Sequence, residues 1–300
     1  MFLKYKITNQ SMLLYYLRYD KDFLNSHSKL PSNQVNNIIS KLYVRSMSLF
    51  QVIPFHKIMN RYVIDDNTLI SRLTGVIISF FKKVSSSNSY PEMFFFDSIF
   101  DVLTLSDHKK ITLFLIGTSN TGKSFLSQFL TSVYRNYEVG SILAPNGDRL
   151  SEFWLQQCIF THVKRCEELV IPTMQIAQEF KKLFEGNTAL LGNVKYKDNM
   201  VVPKTPIIIT ANGSQPSDIW KFISSEREAI INRCFIFSLN TPLKKIIQEN
   251  HLSKIVEYSQ QIMSRLYQIY LKRKELRRPS IKEDETLEGY LDEEATAIYL

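Results

Sequence analysis

Eight consecutive residues, Gly117-Thr-Ser-Asn-Thr-Gly-Lys-Ser124, limit this chain more than any other stretch. The residues before them, Ile-Thr-Leu-Phe-Leu-Ile over 111 to 116, are apolar and β-prone, as a buried strand requires. After them Phe125, Leu126, Phe129, Leu130 and Val133 recur at helical spacing. The octapeptide therefore joins a strand to a helix N-terminus, the context in which it becomes a phosphate cradle. Gly117 and Gly122 let the backbone turn its N–H groups inward, and the helix end adds favourable potential for an anion. Lys123 is placed to reach β- and γ-phosphates, and Ser124 to ligate Mg²⁺. The chain is expected to bind a nucleoside triphosphate.

Composition bounds the rest. A chain of 300 residues holds one large domain or two, and two is the expectation. With 44% hydrophobic residues it can bury a sizeable core, which excludes a disordered tail. A net charge of +8 suits a polyanionic partner, nucleic acid or an anionic surface. Cys158, Cys166 and Cys234 lack metal-site spacing and read as reduced thiols. The sequence shows no signal pattern and no run of about 18 apolar residues, so no membrane partner is expected and the protein reads as soluble and intracellular.

Residues 1 to 84 carry three helix-like clusters: Leu13 to Leu17, Val35 to Val44, and Leu69 to Phe80. The Ser/Asn/Pro-rich stretch 85 to 93 reads as a linker. From 94 to 241, short apolar strands alternate with amphipathic helices, the mark of an α/β parallel sheet flanked by helices. One helix carries Ile176, Ala177, Phe180, Leu183 and Phe184, with Pro172 near its start and Gly186 at its end. A long helical pattern follows Pro242 through 282, and an acidic tail occupies 283 to 300.

Four later features narrow the chemistry. Glu167 and Glu168 follow a candidate strand over 158 to 163. Paired acids at a strand end serve triphosphate hydrolysis, one on the metal side and the other polarising water. Which acid plays which part stays open, with Glu167 entered as the metal-side candidate, and Lys164 and Arg165 interrupt the apolar approach. The apolar run 206 to 211 closes on Asn212, an amide able to sense the γ-phosphate. Lys195, Tyr196 and Lys197 lie between two β-like stretches, 188 to 191 and 200 to 202, as a hairpin tip suited to gripping a single strand. Arg233 stands between a helical stretch over 226 to 231 and a strand over 234 to 239, where it could reach a neighbouring subunit's nucleotide.

In this order these features resemble the superfamily 3 helicases of small DNA viruses. The parvovirus and densovirus large non-structural initiator proteins are most similar, with the papillomavirus initiator helicase a near relative. The strings that carry the resemblance are 117 to 124, Ser151-Glu-Phe-Trp-Leu-Gln156, Cys166-Glu-Glu168, Glu185-Gly-Asn187 leading to Lys195-Tyr-Lys197, Thr205-Pro-Ile-Ile-Ile-Thr-Ala-Asn212, and Asn232-Arg233. They span residues 95 to 240, about half the chain.

The resemblance implies an AAA+-like P-loop fold preceded by a small helical oligomerisation region, assembled as a hexameric ring. It implies an ATP-hydrolysing, Mg²⁺-dependent helicase that unwinds viral DNA 3′ to 5′ in the host nucleus. Single-stranded or forked DNA would be its partner, with a separate origin-nicking nuclease as another. By that likeness Gly117, Thr118, Ser119, Asn120, Thr121, Gly122, Lys123, Ser124 and Phe125 bind ATP, with Lys123 and Ser124 on phosphate and metal. Glu167 and Glu168 are the acidic pair, Asn212 the sensor, Arg233 the finger, and Lys195, Tyr196 and Lys197 the DNA grip. The five histidines include no His-x-His pair, so nicking is not expected, and the chain reads as a truncated, split or endogenised copy. Two other readings compete: a P-loop ATPase that remodels or packages DNA without unwinding, and a decayed protein that only binds or assembles.

Overall fold

The computed structural model describes residues 52–62, 67–186, 190–194, 197–213 and 225–277. The expected clusters at 13 to 17 and 35 to 44, the tail from 283, and Lys195 and Tyr196 lie outside these residues. In chain order the elements are α1 (Phe55–Met59), α2 (Thr68–Ser87), α3 (Phe94–Leu103), β1 (Thr112–Gly117), α4 (Lys123–Thr131), β2 (Val139–Ser141) and β3 (Val163–Cys166). There follow α5 (Met174–Glu185), β4 (Leu190–Val194), β5 (Lys197–Val202), β6 (Ile207–Asn212), α6 (Ser225–Ile231), β7 (Cys234–Ser238), α7 (Glu249–Glu257) and α8 (Ser259–Arg277).

Five strands form one parallel sheet in the order β2-β3-β6-β1-β7, and β4 pairs antiparallel with β5 as a separate hairpin. The first strand of the sheet is thus sandwiched between the fourth and fifth, the order of an AAA+-like P-loop sheet. Parallel strands need crossovers, and the helices that supply them cover both faces. Alternate side chains of β1 consequently feed two cores. Leu113 and Leu115 join the cluster built with α1, α2, α3, α4 and α8, whereas Phe114 and Ile116 join the one built with α5 and Ile230 of α6.

Helix α5 shows local sequence and fold agreeing. The Thr173 hydroxyl accepts from the Ile176 N–H at its start, and Gly186 stops it in the left-handed region at φ 60°. The buried face is the expected Ile176, Ala177, Phe180, Leu183 and Phe184. Trp154, from the 151 to 156 string, lies on it with its ring centroid 5.0 Å from that of Phe180.

Three expectations change. The stretch 85 to 93 does not hang between two cores. Helix α2 continues to Ser87, Ser85 is fully buried, and its hydroxyl accepts from the Phe95 N–H at 2.9 Å. The Asn88 side chain pairs with Ser238 in both directions, donating to its carbonyl at 2.9 Å and accepting its N–H at 2.8 Å. A side-chain amide thus takes a strand's place beside β7, which is why a turn-rich stretch is docked and not free. Second, the strand before the acids is Val163–Cys166, because Gln156–Cys158 is a 3₁₀ turn. Lys164 and Arg165 therefore lie within the strand and not after it. Third, the helical pattern after Pro242 divides at Tyr258 into α7 and α8.

The helical region before the sheet is bound to it by apolar and polar contacts. Ile70, Leu73, Ile77, Phe80, Phe81 and Val84 of α2 are buried, each worth on the order of 2 kcal/mol. Beyond α1, Arg61 makes a two-pronged pair with the buried Glu138, both bonds 2.8 Å, and the Tyr62 hydroxyl donates to the Val133 carbonyl at 2.7 Å. No helix among the described residues is long and apolar enough to cross a membrane.

Candidate functional site

The loop 117 to 122 leaves β1 and turns into α4 through two left-handed residues, Asn120 at φ 64° and Gly122 at φ 91°. Glycine is required at both ends of the loop. A Cβ on Gly117 would stand 2.5 Å from Thr121 Oγ1 and 2.7 Å from the Leu239 carbonyl, and one on Gly122 would press on Leu243 at 3.0 Å. Thr121 is buried and donates to the Thr118 carbonyl at 2.8 Å, bracing the loop from within. Thr118, Ser119, Asn120 and Ser124 face solvent, and Phe125 is half-buried.

Lys123 is buried at the centre, 7% exposed, and its Nζ donates to the carbonyls of Gly117 at 2.7 Å and Thr118 at 2.8 Å. Burial lowers its pKa, while the charge of Glu168 acts to raise it. A glycine-gated loop with a cation folded into it and an exposed hydroxyl at the helix start fits a Mg²⁺-bound triphosphate. Beside it opens a cavity of about 720 Å³, walled by Phe125, Pro242, Leu243, Leu252 and Val256. That wall was not expected from the sequence. Its signal was Pro242, which follows the last sheet strand and opens a 3₁₀ turn whose Leu243 donates its N–H to the Asn120 carbonyl at 3.1 Å.

The two acids diverge. Glu167 pairs with Arg165, Nη2 to Oε1 at 2.5 Å, and borders a second cleft with Arg135, Gln128 and Tyr62. Glu168 sits at φ 54°, a left-handed conformation that a non-glycine residue adopts only when its surroundings hold it. Thr210 of β6 supplies the hold: its hydroxyl accepts from the Glu168 N–H at 3.2 Å and its carbonyl from the Leu169 N–H at 2.9 Å. Glu168 is thus the carboxylate whose charge acts on the loop lysine, whereas Glu167, the expected metal-side acid, is engaged by Arg165.

Asn212 is exposed at the tip of β6, in register with Gly117. The Gly213 N–H donates to the Gly117 carbonyl at 3.3 Å, the same oxygen that accepts from Lys123. Strand β6 and the loop therefore share one carbonyl, which brings Asn212 beside the site. Arg233 is elsewhere. It precedes Cys234, which pairs with Thr112 at the start of β1, so it stands at the end of the sheet away from the loop. Six strand residues separate the two levels, about 20 Å. Its guanidinium binds Glu185 Oε1 at 2.6 Å and the Ala229 carbonyl at 2.5 Å.

The hairpin expected at 188 to 202 has its strands at Leu190–Val194 and Lys197–Val202, with a register shift between Gly192 and Val194. The pairing of Val194 with Lys197 is the one nearest residues 195 and 196. Lys195 and Tyr196 fall outside the described residues. The three cysteines are buried and free, with burial pushing the thiols of Cys158 and Cys166 up to about 12 and that of Cys234 up as well.

The chain is similar to several known proteins. Initiator protein NS1 of Bombyx mori densovirus is 28% identical over 129 residues, 42% of this chain but only 14% of that protein. Among solved structures, the C-terminal region of NrS-1 is 16% identical with a TM-score of 0.48, over 73% of this chain and 49% of that one. JCV helicase is 14% identical with a TM-score of 0.48, over 83% and 75%. The sequence profile described as papillomavirus helicase matches residues 74–258, from α2 through α7 and so across the whole sheet. By that match the chain belongs to the papillomavirus helicase family.

Proposed function

We propose that the chain is an ATP-driven DNA helicase subunit that hydrolyses ATP at a seam shared with a second copy. One observation carries this reading: the loop and Arg233 occupy opposite ends of the same sheet, about 20 Å apart. Arg233 cannot serve its own loop. Displayed at the far end and only partly covered, with a side chain 26% exposed, it is available to a neighbour's loop. A ring of head-to-tail copies, six in the family-based expectation, repeats that contact without a free end.

Within the site, Lys123 would exchange the carbonyls of Gly117 and Thr118 for phosphate oxygens. Both carbonyls keep another donor, Gly213 N–H and Thr121 Oγ1, so the loop holds its shape when the lysine moves. The exposed Ser124 hydroxyl and one of the two acids would hold Mg²⁺, which supplies charge neutralisation on the phosphates. Glu168, fixed by Thr210, orients the attacking water and takes up its proton. Asn212 beside the loop reads whether the third phosphate is present. Arg233 releases Glu185 and meets developing charge on the neighbour's phosphate. Glu185 ends α5, five residues before the hairpin begins at Leu190, so that release is felt next to the hairpin. Movement of the turn bearing Lys195, Tyr196 and Lys197 would draw a single strand through the ring, 3′ to 5′ by family likeness, with salt-sensitive and sequence-tolerant contacts.

Subunit mixing tests the seam. Lys123→Ala and Arg233→Ala should each be inactive alone, because each spoils every seam. Mixed in equal amounts, they form seams in which one copy supplies Lys123 and the other Arg233, restoring about a quarter of wild-type ATP turnover by random assembly. No recovery in the mixture, with assembly verified by native mass, would remove the shared-site reading. Strand displacement on a forked duplex then separates unwinding from remodelling without unwinding.

A further inference from the structure

Lys164 stands in β3 at a position where a buried strand ordinarily carries an apolar residue, and the mechanism above gives it no task. It is 1% exposed. Its Nζ donates to the Pro203 carbonyl at 2.6 Å and to Thr205 Oγ1, and its backbone N–H donates to the Pro206 carbonyl at 2.8 Å. All three bonds go to the short connector from 203 to 206. That connector joins β5, the returning strand of the hairpin, to β6.

The arrangement is a costly way to fill a core. Both side-chain acceptors are neutral oxygens, and burial pushes the ammonium down to about 8 despite an opposing influence from Cys158. A leucine or methionine would occupy the slot without desolvating a charge. What an apolar residue cannot do is hold the connector from inside the sheet. Pro203 and Pro206 have locked φ angles, so the connector passes on a displacement where a flexible link would absorb it. One end of the chain of contacts is the strand leading into Glu167 and Glu168. The other is the hairpin, and β6 carries the same connector on to Asn212.

We propose that Lys164 is a positioning residue that ties the strand of the acidic pair to the base of the hairpin, so that changes at the nucleotide are delivered to the DNA grip. The inference rests on the helicase reading above and names the link that reading needs between its two ends.

The test uses the full chain with Lys164→Met, which keeps length and removes the donor, and Thr205→Val, which removes one acceptor. Basal ATP turnover and the KM for ATP should stay within about twofold of wild type, since neither residue touches the nucleotide. Unwinding of a forked duplex at saturating ATP should fall about tenfold, within the range that breaking a coupling contact produces. More ATP is then spent per base pair opened. The double variant should be no worse than Lys164→Met alone, because both changes break one contact. Wild-type unwinding per ATP in Lys164→Met overturns the proposal, and so does a parallel loss of basal turnover and unwinding, which marks the lysine as merely structural. If Lys164→Met does not fold, Thr205→Val decides, with about a threefold loss of unwinding at unchanged basal turnover expected and parity with wild type overturning the proposal. A wild-type protein that hydrolyses ATP yet opens no duplex is a different failure, seen before any variant is made. It removes the helicase reading and this inference with it.

Discussion

Strands β1 and β3 end at the same edge of the sheet and deliver the two halves of the candidate site, yet they are built on different terms. β1 is buried at all six positions and is paired on both sides, to β6 and β7. β3 has four residues and lies between β6 and the three-residue β2. An interior strand with both faces covered has no outlet for charge, so β1 reads as a continuous apolar run. Near the sheet's edge a charge can be accommodated in two ways. Arg165 takes the first, lying half-buried toward a cleft and Glu167. Lys164 takes the second, buried and hydrogen-bonded to the connector. A charged residue in a strand pattern therefore marks a neighbourhood, not the absence of a strand.

The largest expected effect belongs to the β1 side. Lys123→Ala should lower ATP turnover about a hundredfold or more, as loss of a group aimed at developing charge does. The melting temperature should hardly move, since the Gly117 and Thr118 carbonyls retain Gly213 N–H and Thr121 Oγ1 as donors. Turnover that survives the substitution would detach β1 from the chemistry and leave only its structural half.

The β3 side is sharpened by treating its acids separately. Glu168→Gln should cost about a hundredfold in turnover, as loss of a general base does. Glu167→Gln should cost about tenfold, because that carboxylate is shared with Arg165 and acts at one remove. Equal losses, or the reverse order, would show that the Arg165 pair opens on nucleotide binding and that Glu167 is the nearer acid. Single-turnover hydrolysis separates these outcomes from effects on release.

How much of this was legible beforehand follows the same divide. The loop, β1, α4 and α5 were readable because each rests on local rules: glycine at a tight turn, a continuous apolar run, apolar residues at helical spacing, a Thr cap and a Gly stop. The strand of the acids was misplaced by several residues because its buried charge, Lys164, is explained only by residues 39 to 42 positions distant, Pro203, Thr205 and Pro206. The stretch 85 to 93 looked like a linker for a similar reason, since Asn88 finds its partner 150 residues away in Ser238. Arg233 was legible as a candidate, but its station at the far end of the sheet came only from the strand register. Long-range polar partners leave no period in a sequence.

Stability should follow the two strands as well. Leu115→Ala removes a fully buried side chain from the larger core and should cost about 3 kcal/mol. Arg165→Ala removes one partly exposed ion pair and should cost about 1 kcal/mol or less. Chemical denaturation with unchanged m-values checks both, and a similar cost for the two would contradict the picture of β3 as a tolerant, near-edge strand.

The smallest effect comes from the residue that leads into β3. His162 is buried, its Nδ1 accepts from the Ile53 N–H at 3.3 Å, and its backbone N–H donates to the Glu138 carbonyl at 2.8 Å. Burial pushes its pKa down to about 4, with Glu138 acting to raise it and Arg61 to lower it. The unfolded chain then binds a proton near pH 6.5 that the folded chain refuses until about pH 4, so stability falls as pH drops through that window. Glu138 adds its own pH dependence only at the acid end of that window, below its ordinary value of 4.5. Burial alone would raise that carboxyl, but Arg61 and the Arg135 N–H hold it under its usual value, so its stabilisation is lost at still lower pH. Between pH 7 and 5.5 the histidine alone should therefore cost about 1 kcal/mol. His162→Asn, which keeps an acceptor for Ile53 but does not titrate, should flatten the profile over that interval. A wild-type profile already flat from pH 7 to 5.5 would mean that His162 takes up its proton without disturbing the contact between the α1 segment and β3, leaving Arg61 and Glu138 as the polar tie between them.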